Sequence, residues 1–182
     1  MTLVLVRHGE TAWNAERRMQ GRPDNPLTAA GREQARATAI ALEGFVPHEV
    51  VASPLVRARQ TAGVIALHLG VADVRLDDDL IERDLGEAEG LHVDVAAQRW
   101  PHGEYAGGES VASVAERGAR AIARLRGVDA IVVAHGLLLR ATLERATGAP
   151  VARLLTAEHV LLHDDGTIER PALAARTDGS LG

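Results

Sequence analysis

The sequence predicts an α/β fold, a three-layer sandwich in which helices cover both faces of a mostly parallel central sheet. Short runs rich in valine and leucine alternate along the chain with longer segments whose apolar residues recur about every 3.6 positions. Such runs form buried strands and such segments form amphipathic helices, so their alternation is typical of βαβ units. At 182 residues and 46% apolar content the chain is long enough for one core. We therefore expect a single domain over residues 1–182, with a flexible tail over 176–182.

In the first half of the chain, three apolar runs are predicted to be strands and two periodic segments to be helices. Thr28 precedes the first periodic segment and can cap a helix through its hydroxyl group. Pro54 stands at the start of the second segment, where proline is favoured. The predicted order is strand Leu3–Val6, helix Ala29–Glu43, strand Val50–Ala52, helix Leu55–Leu69 and strand Val74–Leu76.

In the second half, the segment from Leu80 to Gly108 has no clear period and is rich in glycine, proline and charge. It is predicted to be a long loop, of the kind that often carries function. The run Asp164-Asp165-Gly166 is typical of a hairpin turn at one edge of a sheet. The predicted order is helix Ser110–Arg126, strand Ala130–Ala134, helix Gly136–Thr147, and a hairpin of strands Val160–His163 and Thr167–Glu169.

Composition and charge exclude several classes of partner. A formal net charge of −5 and an aromatic content of 2% give neither a positive field nor stacking platforms for nucleic acid. No apolar segment approaches the ~18 residues that span a bilayer, and no signal peptide is recognisable. The absence of cysteine excludes disulfides and thiol chemistry, and it fits a reducing compartment. We expect a soluble, cytoplasmic protein without nucleic-acid or membrane partners; a homodimer is compatible with the sequence, since two-fold dimers are the commonest assemblies.

Three strand ends carry side chains suited to binding phosphate. Arg7 and His8 follow the first strand, Arg57 stands in the first turn of the helix after the second, and His135 and Gly136 follow the fourth. Because the carboxyl ends of parallel strands line one crevice, we expect these residues to meet. Guanidinium groups, imidazoles and backbone N–H groups at helix starts suit a dianionic, tetrahedral oxyanion. The same donors can stabilise a phosphoryl group during transfer.

Each of these residues also has a purely structural interpretation. A single histidine at a strand end is more often structural than catalytic, and a single arginine is more often a surface charge. The occurrence of such residues at three junctions favours the phosphate site. A metal site built on His8 and His135 is the competing interpretation, but two neighbouring arginines would repel a divalent cation. We therefore expect neither a metal nor a cofactor.

Several motifs follow one another in a fixed order between residues 2 and 145. They are Arg7-His8-Gly9-Glu10-Thr11, Trp13-Asn14, Gln20-Gly21, Ser53-Pro54-Leu55 with Arg57-Ala58, Glu82, Gly107-Gly108-Glu109-Ser110, and Ala134-His135-Gly136 with Arg140. In order and spacing this series resembles the histidine phosphatase superfamily, also called the phosphoglycerate mutase-like family. The resemblance implies the phosphoglycerate mutase-like version of the predicted α/β sandwich.

The resemblance also implies roles for the matching residues. His8 would be the nucleophile that becomes a phosphohistidine, and Glu82 would give a proton to the leaving alcohol; from the residues alone, Glu82 is equivalent to Glu87 and Glu89. Arg7, Arg57 and His135 would hold the phosphoryl oxygens. The implied phosphate- and substrate-binding set is Arg7, Asn14, Gln20, Gly21, Arg57, Glu82, His135 and Gly136.

The length of the chain favours a phosphatase over a mutase. The resemblance implies that cofactor-dependent mutases are longer and carry adjacent basic residues for the substrate carboxylate after the acid glutamate. Here the corresponding segment, Leu91–Gly108, is short and contains Arg99 as its one arginine, with His92 and His102 as weaker candidates. We expect a metal-independent phosphomonoesterase acting on a small phosphorylated metabolite, closest in character to ribazole phosphatases and broad-specificity phosphatases.

Three alternative functions remain open at this point. They are a cofactor-dependent phosphoglycerate mutase, a phosphohistidine protein phosphatase, and a non-catalytic phosphate-binding module, which would not need Glu82. The residues that choose the alcohol are also open. Each candidate for a substrate lid is equally interpretable as loop surface, and Trp100 also as a core anchor for its loop. The candidates are Leu85, Arg99, Trp100, His102, Glu104 and Tyr105.

Overall fold

Six strands form one mixed sheet in the computed structural model, which describes residues 1–171. The strands are β1 (Thr2–Arg7), β2 (Glu49–Ala52), β3 (Val74–Leu76), β4 (Ala130–Ala134), β5 (His159–His163) and β6 (Ile168–Glu169). Their order across the sheet is β3-β2-β4-β1-β5-β6. The first four are mutually parallel, and the hairpin of β5 and β6 adds two antiparallel strands beside β1. The predicted parallel sheet with a hairpin at one edge is confirmed; the predicted tail, 176–182, lies outside the described residues.

Helices cover both faces of this sheet. They are α1 (Ala12–Ala15), α2 (Ala29–Ala41), α3 (Val56–Leu69), α4 (Val93–Arg99), α5 (Val111–Ala123) and α6 (Gly136–Thr147). Successive side chains of a strand point to opposite faces, and β1 shows this directly. Leu3 and Leu5 pack into the core formed with α5 and α6, whereas Val4 and Val6 pack into the core formed with α2 and α3. The three-layer sandwich is therefore confirmed.

The register of the two central strands positions the functional end of the sheet. β1 and β4 are fully parallel neighbours in which Arg7 lies opposite Ala134. The next residue along each strand is a histidine, so His8 and His135 leave the sheet side by side. Both strands are buried because helices cover both of their faces, which explains why each appears in the sequence as an unbroken apolar run.

The predicted loop from Leu80 to Gly108 is wrong in part. It contains α4 and a single 3₁₀ turn at Gly86–Ala88. Of the seven residues of α4, Ala96 is the one that is buried, so this helix has no apolar stripe for a periodicity argument to detect. The short helix α1 was also not predicted. Several predicted ends differ by one to three residues, since α2 ends at Ala41 and α5 at Ala123.

Within residues 1–171, no helix combines the length and the apolar character needed to cross a membrane.

Candidate active site

The two histidines predicted at strand ends lie against each other at the floor of a cleft. The centroids of the His8 and His135 rings are 5.2 Å apart, with the ring planes tilted by 60°. Both side chains are buried, with exposed fractions of 3% for His8 and zero for His135. The strand register that aligns residues 8 and 135 thus also brings their imidazoles together.

A hydrogen bond to the main chain fixes the orientation of the His8 ring. Its Nδ1 lies 2.7 Å from the carbonyl oxygen of Gly9, a group that can only accept. Nδ1 must therefore carry the proton, which leaves the lone pair on Nε2. Burial, together with the positive charges of Arg57 and Arg7, lowers the pKa of His8 well below its usual value. The ring is therefore neutral at pH 7, with Nε2 as its nucleophilic atom.

Two arginines are anchored to main-chain carbonyl groups beside this ring. Arg7 Nη1 donates to the carbonyl of Leu154 over 2.7 Å. Arg57, which is fully buried, donates from Nη1 to the carbonyl of Pro23 and from Nη2 to that of Gly21, over 2.8 and 2.6 Å. Burial lowers the pKa of each guanidinium to about 10, so both remain charged at neutral pH.

Ser53 determines which nitrogen of His135 carries a proton. The hydroxyl oxygen of Ser53 accepts from the N–H of Leu55 and lies 2.7 Å from His135 Nε2. Within the described chain, Nε2 is the one acceptor near the buried Ser53 hydroxyl, so the hydroxyl donates to Nε2 and the ring proton resides on Nδ1. Burial, then the charge of Arg57, keeps the pKa of His135 well below its usual value. His135 is thus a neutral ring with an Nδ1–H donor.

Three buried side-chain nitrogens in this region have no hydrogen-bond partner. They are Nε of Arg7, Nε of Arg57 and Nδ1 of His135, and they are the complete set of such buried side-chain atoms in residues 1–171. Buried polar groups in proteins are nearly always paired, so a group of unpaired donors needs an explanation. All three belong to residues that the sequence assigns to phosphate binding. All three are hydrogen-bond donors that lack an acceptor.

Glu82 lies at the N-terminus of α6. Its Oε1 accepts from the N–H of Leu138 and its Oε2 from that of Leu137, over 3.0 and 3.2 Å. Its two oxygens thus accept from N–H groups that would otherwise be unpaired in the first turn of the helix, which fixes the position of the carboxyl group. From the sequence alone, Glu82 could not be distinguished from Glu87 and Glu89, but the structure distinguishes them. Glu87 is exposed and paired with Arg99, and Glu89 accepts from the N–H of Arg22.

A cavity of about 320 Å³ opens above these groups. Eight of the nine predicted site residues are assembled here: Arg7, His8, Asn14, Gln20, Gly21, Arg57, Glu82 and Gly136 line the cavity. The ninth, His135, lies behind the lining against His8. Asn14 and Gln20 are held by the hydroxyl of Thr11, which donates to Oδ1 of Asn14 and to Oε1 of Gln20.

The predicted lid is wrong for all but one of its candidates. Leu85 lines the cavity, whereas Arg99, Trp100, His102, Glu104 and Tyr105 do not. Trp100 instead packs edge-to-face on Tyr105, with ring centroids 5.7 Å apart, beside a small separate core of Leu85, Ala88 and Ala96. The alternative interpretation of Trp100 as an anchor for its loop is therefore correct.

Three arginines that the sequence did not assign to the site also line the cavity. They are Arg18, Arg140 and Arg153. Arg140 is part of a recognised motif, but no role was attached to it. Arg153 lies in the connection between α6 and β5, where neither a motif nor a periodic pattern marks it. Ser53 belongs to a recognised motif and was likewise given no role.

No group of three or more histidine, aspartate or glutamate side chains within residues 1–171 is arranged to hold a metal ion.

Comparisons with known proteins agree with this geometry. Residues 3–164 match the histidine phosphatase superfamily (branch 1). The chain is 37% identical over 155 residues to the uncharacterised phosphatase PhoE of Bacillus subtilis, covering 81% of this chain and 79% of that protein.

Two solved structures extend the comparison to three dimensions. A mycobacterial glucosyl-3-phosphoglycerate phosphatase in complex with VO3 superimposes with a TM-score of 0.82 at 31% identity, covering 89% of this chain and 92% of that one. The alpha-ribazole phosphatase from Shigella flexneri superimposes with a TM-score of 0.80 at 26% identity, covering 97% of both chains. The predicted fold family and the predicted class of enzyme, a phosphatase, are confirmed. The chain belongs to the histidine phosphatase superfamily.

Proposed function

We propose that this protein is a metal-independent phosphomonoesterase that hydrolyses a small phosphorylated metabolite in the cytoplasm through a phosphohistidine on His8. The observation that carries the proposal is the set of three unpaired buried nitrogens on Arg7, Arg57 and His135. Around the neutral Nε2 of His8, they supply the donors that a tetrahedral anion with several acceptor oxygens requires. The phosphatase names of the relatives support the same reaction class.

In the first step, the lone pair on His8 Nε2 attacks the phosphorus atom and the bond to the ester oxygen breaks. The leaving oxygen takes a proton from the Glu82 carboxylic acid, so that the alcohol departs neutral. Arg7, Arg57 and the His135 Nδ1–H hold the three remaining phosphoryl oxygens throughout. A neutral His8 is essential here, because a protonated imidazole has no lone pair to donate.

In the second step, water hydrolyses the phosphohistidine. The Glu82 carboxylate accepts a proton from water as its oxygen attacks phosphorus, and the P–N bond breaks. The electron pair returns to Nε2, inorganic phosphate leaves, and Glu82 is protonated for the next cycle. One carboxyl group thus serves as acid and then as base, which matches the single carboxylate that lines the cavity.

The test combines turnover with detection of the intermediate. Native protein should hydrolyse p-nitrophenyl phosphate, and His8→Ala should lose at least a thousandfold in kcat, since the covalent route disappears. Mass spectrometry after a quench that avoids acid should find phosphate on residue 8 during turnover. The matched control is His48→Ala, which removes an exposed histidine away from the cavity and should retain native activity.

Three outcomes would contradict the proposal. Equal activity of the native and His8→Ala proteins would exclude the covalent route. Strong inhibition by EDTA would point to a catalytic metal. Transfer of phosphate from a bisphosphate cofactor to 3-phosphoglycerate, faster than release of inorganic phosphate, would favour a mutase.

A further inference from the structure

The cavity contains more positive charge than one phosphate group can neutralise. Five guanidinium groups and one carboxylate line it, on Arg7, Arg18, Arg57, Arg140, Arg153 and Glu82. A phosphate monoester brings about two negative charges, which Arg7 and Arg57 together balance. The other three arginines therefore need a separate explanation.

One of the three is already paired within the protein. Arg18 donates from Nε to the carboxylate of Glu16 over 2.7 Å and from Nη1 to the carbonyl of Gly90 over 2.8 Å. Its charge is balanced by Glu16, and its direction is set by Gly90. Arg18 is thus a wall of the cavity rather than an available cation.

The other two arginines have no hydrogen-bonded partner among the described residues. Arg140 forms only a loose ion pair with Glu144, with 4.0 Å between its Nε and the carboxylate oxygen, beyond hydrogen-bond distance. No hydrogen bond or ion pair within residues 1–171 engages Arg153. Both side chains are partly open to the cavity, so each can offer its planar fork of N–H groups to a ligand.

Both residues stand directly beside the phosphate clamp, defined as Arg7, Arg57 and His135. Arg140 stands four residues after Gly136 in α6, so it lies on the same face of the helix, about 6 Å further along it. Arg153 precedes Leu154, whose carbonyl group accepts from Arg7 over 2.7 Å. After burial, the charge of Arg153 is the largest influence lowering the pKa of Arg7, ahead of that of Arg57. The charge of Arg153 therefore acts on the clamp directly, and Arg140 stands beside it in the wall of the same cavity.

We propose that Arg140 and Arg153 form a subsite for a second anionic group, a carboxylate or a second phosphate, on the alcohol portion of the substrate. This inference rests on the proposed phosphomonoesterase function and names its substrate class. A neutral alcohol would leave two like charges unbalanced beside Arg7, whereas an anion would neutralise them and accept bidentate hydrogen bonds. The pair comes from α6 and the following connection, not from the segment Leu91–Gly108, where the sequence offered only Arg99.

The apolar part of the cavity limits what joins the two anionic groups. Met19, Leu85, Val93 and Leu137 line it, so a short carbon skeleton fits better than a polar sugar ring. The expected substrate is a small phosphorylated hydroxy acid or a short bisphosphate.

The test compares three probes of similar size: 3-phosphoglycerate, propane-1,3-diol bisphosphate and glycerol 3-phosphate, which has no second anion. Native protein should prefer one of the two doubly anionic probes over glycerol 3-phosphate, and the preferred one identifies the second group. The readout is kcat/KM for the preferred doubly anionic probe divided by kcat/KM for glycerol 3-phosphate. A general loss of folding or catalysis lowers both values and cancels in this ratio. Arg140→Gln and Arg153→Gln should each lower this ratio about tenfold, and the double variant further.

The matched control is Arg99→Gln, which removes an exposed arginine that pairs with Glu87 outside the cavity and should keep the native ratio. An unchanged ratio in the double variant, or a native enzyme without preference, would overturn the subsite and leave the phosphatase function intact. If native protein hydrolyses none of the probes nor p-nitrophenyl phosphate, the proposed function itself fails.

Discussion

Single hydrogen bonds determine which nitrogen each buried histidine presents to the cavity. Gly9 accepts the Nδ1 proton of His8 and leaves Nε2 as a lone pair, whereas Ser53 donates to Nε2 of His135 and leaves Nδ1 as a donor. Both rings thus carry their proton on Nδ1 but use opposite nitrogens in the site, with ring centroids 5.2 Å apart. One is suited to attack a phosphorus atom and the other to hold a phosphoryl oxygen.

Replacing Ser53 tests this assignment. In Ser53→Ala the His135 ring loses the donor that fixes its tautomer, so Nδ1 carries the proton in only part of the molecules. We expect kcat/KM to fall about tenfold, which corresponds to ~1.4 kcal/mol. Long-range ¹H–¹⁵N spectra of the histidine rings should change from one tautomer to a mixture. A spectrum that keeps a single protonated Nδ1 in the variant would contradict the assignment.

At the residue scale, the sequence predicts His8 and the phosphate clamp well, and it misses the arginines that line the rest of the cavity. Arg7, His8, Arg57 and His135 stand next to strand ends, and a parallel sheet brings strand ends together. Arg153 has no such signal, because it reaches the cavity through an irregular connection whose path depends on tertiary contacts. Sequence spacing likewise does not predict which side chains bond to each other, such as Ser53 to His135.

At the scale of elements, α2 supports the loop that carries the nucleophile. The loop after β1 passes over the first turn of α2, where the N–H of Thr28 donates to the carbonyl of Glu10 over 2.9 Å. A Cβ atom on Gly31 would collide with that same carbonyl. Close packing of the loop on the helix therefore requires a residue without a side chain at this position.

Two helical glycines provide a matched test of this contact. Gly31→Ala should destabilise the protein by about 1–3 kcal/mol through overpacking and should lower kcat, since the loop carrying His8 must shift. Gly63→Ala, in α3 with open space around its Cβ position, should stabilise by about 0.5–1 kcal/mol and leave kcat unchanged. Urea denaturation and steady-state assays measure both effects. Equal stability changes in the two variants would show that the loop does not depend on the contact.

Helix α5 positions the segment that leads into Glu82. Arg117 of α5 donates to the carbonyl groups of Asp79 and Ile81, and it pairs through Nε and Nη2 with both carboxylate oxygens of Glu109 over 2.9 Å. The Arg117 and Glu109 side chains are 8% and 14% exposed. Although burial alone would raise the pKa of Glu109, hydrogen bonds from Arg117 keep it below its usual value. The pair is therefore ionised and ties α5 to the residues around Glu82.

Breaking this buried pair should have a larger effect than breaking an exposed one. Glu109→Gln leaves the Arg117 charge unbalanced and should destabilise by about 3 kcal/mol, with kcat reduced more than KM is changed, because Glu82 loses its support. Glu87→Gln, which breaks the exposed pair with Arg99, should cost less than ~1 kcal/mol. Thermal unfolding and kinetics of both variants give the comparison. A Glu109 variant as stable as the Glu87 variant would contradict the positioning role.

Long, periodic elements were predictable and short ones were not. The helices α2, α3, α5 and α6 each have 12 or more residues and bury one face, so periodicity finds them. By contrast, α1 has 4 residues and buries none of them. It forms because Thr11 and Asn14 cap each other reciprocally, a local feature that a search for apolar stripes misses.

At the scale of the whole molecule, two buried neutral histidines make stability depend on pH. Both pKa values are well below 6.5 in the folded protein, mainly because of burial, while the unfolded chain titrates near its ordinary value. Below pH 6.5 the unfolded state therefore binds more protons than the folded state, and acid favours unfolding. At pH values well above 6.5 neither state is protonated at these rings, and this contribution to the pH dependence vanishes.

The free energy of unfolding should accordingly fall between pH 6.5 and 5, with each histidine contributing a slope of about 1.4 kcal/mol per pH unit. His8→Asn removes one titrating ring and should reduce the slope by that amount. Urea denaturation at half-unit steps of pH measures the slope for both proteins. Parallel profiles would show that His8 is not buried in its neutral form.

The architecture of the whole molecule follows from alternation of strand and helix patterns, and the sequence contains that alternation. The four strands β1 to β4 pair in parallel because helices connect them. Three of them, β1, β2 and β4, are buried apolar runs. The order of the strands, with β1 and β4 at the centre of the sheet, is not predictable from the sequence, because it depends on pairing between distant segments of the chain. That pairing, rather than any single motif, brings residues 8 and 135 together.

The alignment of β1 with β4 also restricts how the gene can change. Deleting one codon within either strand would shift its histidine by one residue and turn it to the opposite face, separating the two rings. Surface turns such as the one at 164–166 lie outside this alignment and can absorb insertions. Length differences among descendants of this protein should therefore accumulate in the turns and be purged from the two central strands.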